Sequence, residues 1–188
     1  YRLQQKGLEN IPEEGAAVLV CNHVSFVDPL VIAAASRRPI RFVMDYRIYR
    51  TPLISFVFRH MQAIPIAPAR EDAAMMEAAF EEVAKALAAG ELVAIFPEGK
   101  ITDTGELYPF RPGVQRIVAR TPAPVIPMAL QGLWGSFFSR KDGPAMSKPL
   151  RRGMFSKIAL SVGAPVPPAA ATPEHLQEIV AGMRGDWR

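Results

Sequence analysis

The apolar positions along the chain fall into short continuous runs, separated by polar segments that contain glycine and proline. Apolar runs of roughly four to eight residues with polar residues on both sides are typical of buried strands. By this criterion the sequence predicts strands over residues 16–20, 40–44, 63–66, 92–96, 125–130 and 158–162. The polar opening segment, residues 1–15, predicts a lead-in or an edge strand.

Between these runs the apolar spacing becomes helical. The clearest helix is predicted over residues 71–89, where Met76, Phe80, Val83 and Leu87 follow one another at intervals of three or four and share one face. Further helices are predicted over residues 28–36, 46–60 (broken at Pro52), 113–120 and 175–183. Residues 131–153 predict a long excursion, and residues 164–173 predict a Pro/Ala linker to the last helix.

The alternation of strands and helices predicts the fold class. It indicates an α/β domain with a mixed, mostly parallel sheet flanked by helices on both faces. At 188 residues and 49% hydrophobic content, the chain is expected to form one domain over residues 1–188. Ligands of such sheets bind at the carboxyl ends of the strands, where His23, Glu98 and the loop after Leu130 are expected.

The residues after the first buried run carry the first candidate chemistry. His23 follows the 16–20 strand closely, and Asp28 comes five positions later, directly before Pro29. Proline is favoured as the first helical residue, so Asp28 is predicted to be the N-cap of the next helix. His23 is then a candidate general base that Asp28 orients. The alternative is that Asp28 only caps the helix and that His23 pairs with a backbone carbonyl.

Cysteine content and hydropathy exclude several protein classes. Cys21 is the only cysteine, so a disulfide framework and a thiolate metal cluster are excluded, and an intracellular, reducing location is expected. Cys21 itself is expected to be a small buried residue. No apolar run reaches the roughly 18 residues that a membrane-spanning helix needs. The chain begins with Tyr1, so we expect a domain of a longer multidomain protein, in which an anchoring segment can lie elsewhere.

The positive charge is unevenly distributed. The net charge is only +4, yet six arginines and a single acid lie between residues 37 and 59, interleaved with aromatic and aliphatic residues. This mixture predicts a face for an anionic membrane surface, formed by Arg37, Arg38, Arg41, Arg47, Arg50 and Arg59. A solvated surface is the alternative. Nucleic acid is not expected as a partner, because the sequence contains no recognised nucleic-acid-binding motif.

A second motif follows the fourth predicted strand. Phe96-Pro97-Glu98-Gly99 lies about 70 residues after the histidine turn, and Pro109-Phe110-Arg111-Pro112-Gly113 opens the next predicted helix. Backbone N–H groups at that helix start, with Arg111 beside them, form a candidate anion site. A base, an acidic turn and an anion site are therefore expected on successive strand ends.

This combination resembles the glycerolipid acyltransferase family, whose members acylate glycerol 3-phosphate or lysophospholipids. Residues 22–28 (NHVSFVD) look like the family's NHxxxxD block and residues 96–99 like its FPEG block. Residues 110–113 (FRPG) and 125–128 (VIPM) are similar to its two later elements. Within the family, residues 63–68 (AIPIAP), 96–102 (FPEGKIT) and 132–136 (GLWGS) look most like the acyltransferase portion of bacterial bifunctional acyltransferase/acyl-carrier-protein synthetases, which re-acylate 2-acylglycerophosphoethanolamine.

The resemblance implies a glycerol-3-phosphate acyltransferase-like fold and a membrane-associated enzyme of phospholipid metabolism. It implies acyl transfer from an acyl carrier protein or coenzyme A thioester to the hydroxyl of lysophosphatidylethanolamine or 1-acylglycerol 3-phosphate, without a cofactor, a metal or an acyl-enzyme. His23 is the implied general base and Asp28 its partner. The implied substrate-binding residues are Asn22, Ser25, Arg70, Glu98, Gly99, Lys100 and Arg111. The implied location is the cytoplasmic face of a bacterial inner membrane, by peripheral binding or through segments outside this chain.

Two departures from the family pattern concern the acceptor phosphate. Arg70 stands two positions later than the family's phosphate-binding arginine, and Lys100-Ile101 replaces the Thr-Arg that usually follows FPEG. Three other interpretations stay open. Ser25 is a candidate hydrolase nucleophile, although no Gly-x-Ser-x-Gly motif surrounds it. His23, Asp28 and His60 are a candidate metal site without the usual ligand spacing. The chain as a whole is a candidate non-catalytic phospholipid- or membrane-binding module.

Overall fold

A seven-stranded sheet forms the centre of the protein in a computed structural model that describes residues 2–52, 55–141, 143 and 157–187. The strands are β1 Arg2–Lys6, β2 Ala17–Cys21, β3 Ile40–Asp45, β4 Ile64–Ile66, β5 Leu92–Ile95, β6 Val125–Gln131 and β7 Lys157–Val162. Each predicted strand is confirmed to within one residue at either end. The predicted lead-in is the edge strand β1.

Within the described residues, six α-helices connect or follow the strands. They are α1 Asp28–Ala35, α2 Tyr46–Tyr49, α3 Ser55–His60, α4 Ala73–Ala88, α5 Gly113–Arg120 and α6 Pro173–Arg184. The helix predicted over residues 46–60 is two short helices, α2 and α3, and residues 53 and 54 lie outside the described part. Of the predicted excursion over residues 131–153, residues 142 and 144–153 lie outside it as well. No helix in the described ranges is long and apolar enough to cross a membrane.

The strand order is β1-β7-β6-β2-β5-β3-β4. All pairs are parallel except β6 with β7, which is antiparallel. The predicted α/β class with a mixed, mostly parallel sheet is therefore confirmed. Since β2 pairs in parallel with both β5 and β6, the loops that leave these three strands meet at one edge of the sheet.

The core has one layer on each face of the sheet. Along β2, Val18 and Val20 pack with α4, α5 and α6 on one face, whereas Ala17, Leu19 and Cys21 pack with α1 and the 133 loop on the other. This alternation follows from the two-residue period of a strand. Because both faces are covered, β2 is buried throughout, which explains its continuous apolar run.

The segment predicted as a Pro/Ala linker, residues 164–173, joins β7 to α6 and is packed against the sheet edge. Val166 exchanges two backbone hydrogen bonds with Val125 at the start of β6. A short 3-10 helix, Pro168–Ala170, follows, and Ala171 is buried in the core layer that contains α6. The position of α6 is therefore fixed by the connection that precedes it.

The structure does not place the six arginines of residues 37–59 on one face. Arg37, Arg38 and Arg41 lie at the amino end of β3, whereas Arg47 and Arg50 lie beyond its carboxyl end, one strand length of roughly 17 Å away. Arg38 donates hydrogen bonds to the carbonyls of Pro12, Gly15 and Gly90.

Two more of these arginines are held by acidic residues of the protein. Arg41 lies near Glu82 and Glu91, and Arg47 pairs with Asp45 and Glu71. The charges of Arg38, Arg41 and Arg47 therefore have partners within the protein, and a membrane role of these side chains stays a prediction.

Candidate active site

The site begins where β2 ends, at Asn22. The side chain of Asn22 donates to the Leu130 carbonyl at 3.0 Å and accepts from the Leu130 N–H at 2.7 Å. These two bonds continue the β2–β6 pairing by one step in place of backbone groups. The chain is thereby free to leave the sheet at His23 without an unpaired buried N–H or C=O of Leu130.

Asp28 organises the turn that follows. Its Oδ2 accepts from the N–H groups of Val24 at 2.6 Å and Ser25 at 2.9 Å, and its Oδ1 accepts from the Ser25 hydroxyl at 2.6 Å. Helix α1 has no side-chain cap, and the residue at its N-cap position is Val27. The predicted capping role of Asp28 is therefore wrong, because its carboxylate faces back toward the turn rather than forward to the helix.

The same carboxylate holds the imidazole of His23. Nδ1 of His23 lies 2.9 Å from Oδ2 of Asp28. Since Oδ2 already accepts from two backbone N–H groups, it has no proton to give, and Nδ1 must be the donor. Nε2 then carries the lone pair. It has no hydrogen-bond partner among the residues that the structure describes.

Phe96 fixes the plane of the ring. The Phe96 and His23 rings stack with centroids 4.1 Å apart and planes 17° apart. The His23 side chain remains 15% exposed, whereas Asp28 is fully buried. The imidazole is thus held by Asp28 at one nitrogen and by Phe96 on one face, and it reaches the surface only through the rest of the ring.

Glu98 holds the backbone of His23. Its Oε1 accepts from the His23 N–H at 2.7 Å, and its Oε2 accepts from the Tyr108 N–H at 2.8 Å. The His23 carbonyl in turn accepts from the Thr102 N–H at 3.0 Å. Burial raises the pKa of Glu98 above its usual range, against the opposing effect of the two N–H donors. Both sides of the His23 peptide are therefore bound by the segment that follows β5.

Three predicted substrate-binding side chains have other roles in this structure. Asn22, Ser25 and Glu98 are at most 2% exposed, and all of them hydrogen-bond to the protein itself. This corrects their assignment to substrate binding, since a substrate does not reach them here. The hydrolase interpretation fails for the same reason, because the Ser25 hydroxyl is buried and donates to Asp28.

Gly99, Lys100 and Arg111 lie together at the end of β5. Gly99 has a left-handed backbone (φ 72°), and a Cβ at this position would lie 2.8 Å from Cζ of Arg111. The glycine thus makes room for the guanidinium, which is exposed. Lys100 is also exposed and places Nζ 4.0 Å from the centre of the Tyr108 ring. The exposed cationic side chains of Lys100 and Arg111 therefore lie close to Gly99, the residue that follows Glu98.

Arg70 and His60 follow or end elements other than β2, β5 and β6, the strands whose ends meet at His23. Arg70 is exposed after the edge strand β4, and β4 is three strand spacings, roughly 14 Å, from β2. His60 ends α3 and stacks on Phe56. Among the described residues no group of three His, Cys, Asp or Glu side chains is arranged to hold a metal ion.

Sequence reasoning missed three residues of the site. Phe96 belongs to the 96–99 motif, but its stacking on the His23 ring is not predicted by the sequence. Thr102 and Tyr108 act through their backbone N–H groups, and a residue type does not reveal such a contact. Only the Phe96 position carried a signal, because an aromatic residue directly before Pro-Glu-Gly ends a buried strand next to the histidine turn.

Comparison with known proteins supports one family. The family model described as "Acyltransferase" matches residues 2–131, more than half of the chain. The 1-acyl-sn-glycerol-3-phosphate acyltransferase BAT2 of Brassica napus is 30% identical over 133 residues, which cover 70% of this chain and 38% of that protein. The 1-acyl-sn-glycerol-3-phosphate acyltransferase of Borreliella burgdorferi is 26% identical over 124 residues, covering 66% of this chain and 49% of that one. The chain thus spans between about a third and a half of the length of these relatives.

A solved structure supports the fold. The 1-acyl-sn-glycerophosphate acyltransferase PlsC from Thermotoga maritima superposes with a TM-score of 0.72 at 21% identity, covering 97% of this chain and 68% of that chain. The two proteins therefore share the same α/β architecture across nearly all of the present chain.

Proposed function

This chain belongs to the acyltransferase family, and we propose that it transfers a fatty acyl group from an acyl thioester to the free hydroxyl of a lysophospholipid. The observation that carries the proposal is the His23–Asp28 pair at the end of β2, with Nδ1 donating to a buried carboxylate and Nε2 available. We propose 1-acylglycerol 3-phosphate as the acceptor, because relatives bear that name.

The proposed reaction uses His23 as general base. Nε2 takes the proton of the acceptor hydroxyl as its oxygen attacks the thioester carbonyl carbon. When the tetrahedral intermediate collapses, the C–S bond breaks, the ester remains on the acceptor, and the imidazolium returns the proton to the leaving thiolate. A thioester is already activated, so no acyl-enzyme is needed. Asp28 holds the tautomer that leaves Nε2 unprotonated and stabilises the imidazolium.

Arg111 is the proposed contact for the acceptor phosphate. Its guanidinium is exposed beside Gly99, and Glu98 of the same turn holds the His23 backbone. A guanidinium binds phosphate through two parallel hydrogen bonds and so fixes its orientation as well as its position. The rest of the proposed phosphate site consists of Lys100, also exposed on this turn, and the backbone N–H groups at the start of α5.

The donor and the family branch are proposals of the same kind. A coenzyme A thioester and an acyl carrier protein thioester present the same reacting group, and the chemistry of His23 suits both without a cofactor. The resemblance of residues 132–136 to bifunctional acyltransferase/acyl-carrier-protein synthetases favours the carrier-protein donor and lysophosphatidylethanolamine as a second acceptor. These two acceptors differ in the charge beyond the phosphate, so one assay separates them.

The test is acyl transfer to a panel of lysophospholipids, with radiolabelled acyl-coenzyme A and acyl carrier protein as donors. We expect the highest kcat/KM with 1-acylglycerol 3-phosphate and loss of transfer in His23→Ala. His175→Ala, an exposed histidine on α6, is the matched control and should retain full activity. Full activity in His23→Ala would contradict the base assignment, and lipid binding without transfer in the wild type would support the non-catalytic binding module.

We further propose that the enzyme works at an anionic membrane surface, on the cytoplasmic face in a bacterium. The support is α3, on which Phe56 is 77% and Val57 41% exposed, with Arg59 on the same helix. Apolar side chains next to cationic ones suit the headgroup boundary of a bilayer.

Vesicle sedimentation tests this proposal. Phe56→Ser with Arg59→Glu should weaken binding to phosphatidylglycerol vesicles, with the larger loss at low salt, where the charge of Arg59 is least screened. Arg37→Glu removes another exposed charge, at the amino end of β3, and should leave binding unchanged. Equal binding by all three proteins would exclude α3 as the membrane contact.

A further inference from the structure

Helix α6 lies beyond the residues that the family model matches, yet it is fixed firmly to the sheet. Leu176 and Val180 are buried in the core layer shared with α4 and α5. At its carboxyl end, Nε2 of Gln131 donates to the carbonyls of Met183 at 3.1 Å and Arg184 at 2.9 Å. Because Gln131 is the last residue of β6, the end of α6 is held at the same edge of the sheet as His23.

From this position Arg184 reaches the loop that follows β5. Nη1 donates to the Gly105 carbonyl at 2.8 Å, and Nη2 lies 3.0 Å from the Glu106 carboxylate. The Arg184 side chain is only 13% exposed. Gly105 is fixed from another direction as well, since a Cβ there would lie 2.7 Å from the Trp134 indole. The loop around Gly105 and Glu106 is thus held between α6 and the segment that follows β6.

The same loop binds the His23 carbonyl. The Thr102 hydroxyl donates to the Glu106 carbonyl at 2.7 Å and accepts from the Gly105 N–H at 3.1 Å, so residues 102–106 form one closed turn. The Thr102 N–H then donates to the His23 carbonyl at 3.0 Å. A narrow cavity lined by His23, Glu98, Thr102, Glu106, Leu107 and Arg184 marks the same junction.

We propose that Arg184 is a positioning residue for His23. It acts through the 102–106 turn, which fixes the His23 carbonyl, while Glu98 fixes the His23 N–H. Without Arg184, the turn loses two hydrogen bonds and releases the carbonyl, so the ring leaves its alignment with Asp28. This proposal rests on the proposed base role of His23. It makes the carboxyl-terminal helix, outside the matched residues, part of the catalytic architecture.

Kinetics of Arg184→Gln and Arg184→Lys test the proposal. Misplacement of a catalytic group lowers the rate of the bound complex, so we expect kcat to fall about 10-fold in Arg184→Gln, with the KM for the acceptor changed less than about 2-fold. Lysine keeps a donor for the Gly105 carbonyl, and Arg184→Lys should recover part of kcat. Arg120→Gln is the matched control, because the Arg120 guanidinium also makes two contacts with another segment, the Glu77 and Glu81 carboxylates of α4, but at the far end of α5.

A fluorescence readout separates this proposal from the proposed function. Trp134 contacts Gly105, so in a Trp187→Phe background its emission and its acrylamide quenching report on the turn. We expect Arg184→Gln to increase the quenching while Arg120→Gln does not. An unchanged kcat in Arg184→Gln, or equal losses in both variants, would overturn the positioning role. If the wild type shows no transferase activity but Arg184→Gln still increases the quenching, the proposed function is overturned and the contact of Arg184 with the 102–106 turn is supported.

Discussion

Asp28 and Glu98 are buried carboxylates beyond the carboxyl ends of neighbouring parallel strands, and both bind the same histidine. Asp28 contacts the ring of His23 through Oδ2, whereas Glu98 contacts only its backbone N–H. The other hydrogen bonds that each carboxylate accepts come from backbone N–H or hydroxyl groups of the protein. Burial and motif membership therefore do not distinguish a group that takes part in chemistry from one that holds the architecture. What distinguishes the two carboxylates is the atom of His23 that each of them contacts.

The largest expected effect comes from Asp28→Asn. The amide oxygen still accepts from the Val24 and Ser25 N–H groups, and the amide N–H₂ can donate to the Ser25 hydroxyl, so the turn is retained. The imidazolium loses its anionic partner, and kcat should fall about 10²–10⁴-fold. Steady-state kinetics with circular dichroism as a check on folding measure this. A kcat near that of wild type would show that Asp28, like Glu98, is only architectural.

Glu98→Gln should lower the stability of the protein more than its activity, which is the opposite of the effect of Asp28→Asn. An amide presents N–H₂ to either the His23 or the Tyr108 N–H, so one buried donor is left unsatisfied, at a cost of about 1–3 kcal/mol in the free energy of unfolding. The loss of kcat should be smaller than in Asp28→Asn, because the imidazole keeps its ionic partner. Urea denaturation and kinetics on the same preparations compare the two variants. A larger kcat loss than in Asp28→Asn would contradict the division of roles.

The pH dependence of stability sharpens the same comparison. Burial raises the pKa of Glu98 in the folded state above its unfolded value. The folded protein therefore holds this proton more tightly, and the stabilisation present below the unfolded pKa is lost as the pH rises through the folded pKa. The difference in unfolding free energy between wild type and Glu98→Gln should thus decrease as the pH rises from about 4. A difference that grows over this range would have the wrong sign.

Exposed cations beyond these carboxylates should affect binding rather than stability. Arg111→Gln should raise the KM for 1-acylglycerol 3-phosphate about 10-fold, the size expected for a lost charge-assisted hydrogen bond, at nearly unchanged unfolding free energy. Arg70→Gln is the matched control, and its KM should stay within about 2-fold, because β4 is three strands from β2. Equal effects of the two substitutions would place the acceptor phosphate between these arginines rather than at Gly99.

Cys21 should show the smallest effect. It ends β2 beside Asn22, and burial raises the pKa of its thiol well above the usual range, with Asp28 as a second cause. We expect Cys21→Ala to keep activity within about 2-fold and to lower the unfolding free energy by about 1 kcal/mol, the cost of a small cavity. In the native wild type, Ellman's reagent at pH 8 should react only after urea is added. Rapid native labelling would show that this strand end opens.

The candidate site was partly readable from the chain. His23 and the 96–99 block follow buried apolar runs closely, Asp28 stands five positions after His23, and parallel strands bring such strand ends together. The roles of Asn22 and Glu98 were not readable, since the same residue types suit a substrate contact or a backbone contact. Their partners, Leu130 and His23, lie 108 and 75 positions away along the chain.

The sequence by itself determined the order and bounds of nearly all the described elements, because apolar periodicity and helix-ending glycines are local properties. It also determined the histidine turn, whose contacts span only three to five residues. The tertiary structure decided what each buried polar side chain binds. It also showed that the arginines of residues 37–59 do not form one face, and that Arg184 of α6 contacts the loop behind His23. These outcomes depend on which segments pack together, and no local pattern encodes a hydrogen-bond partner that lies far away along the chain.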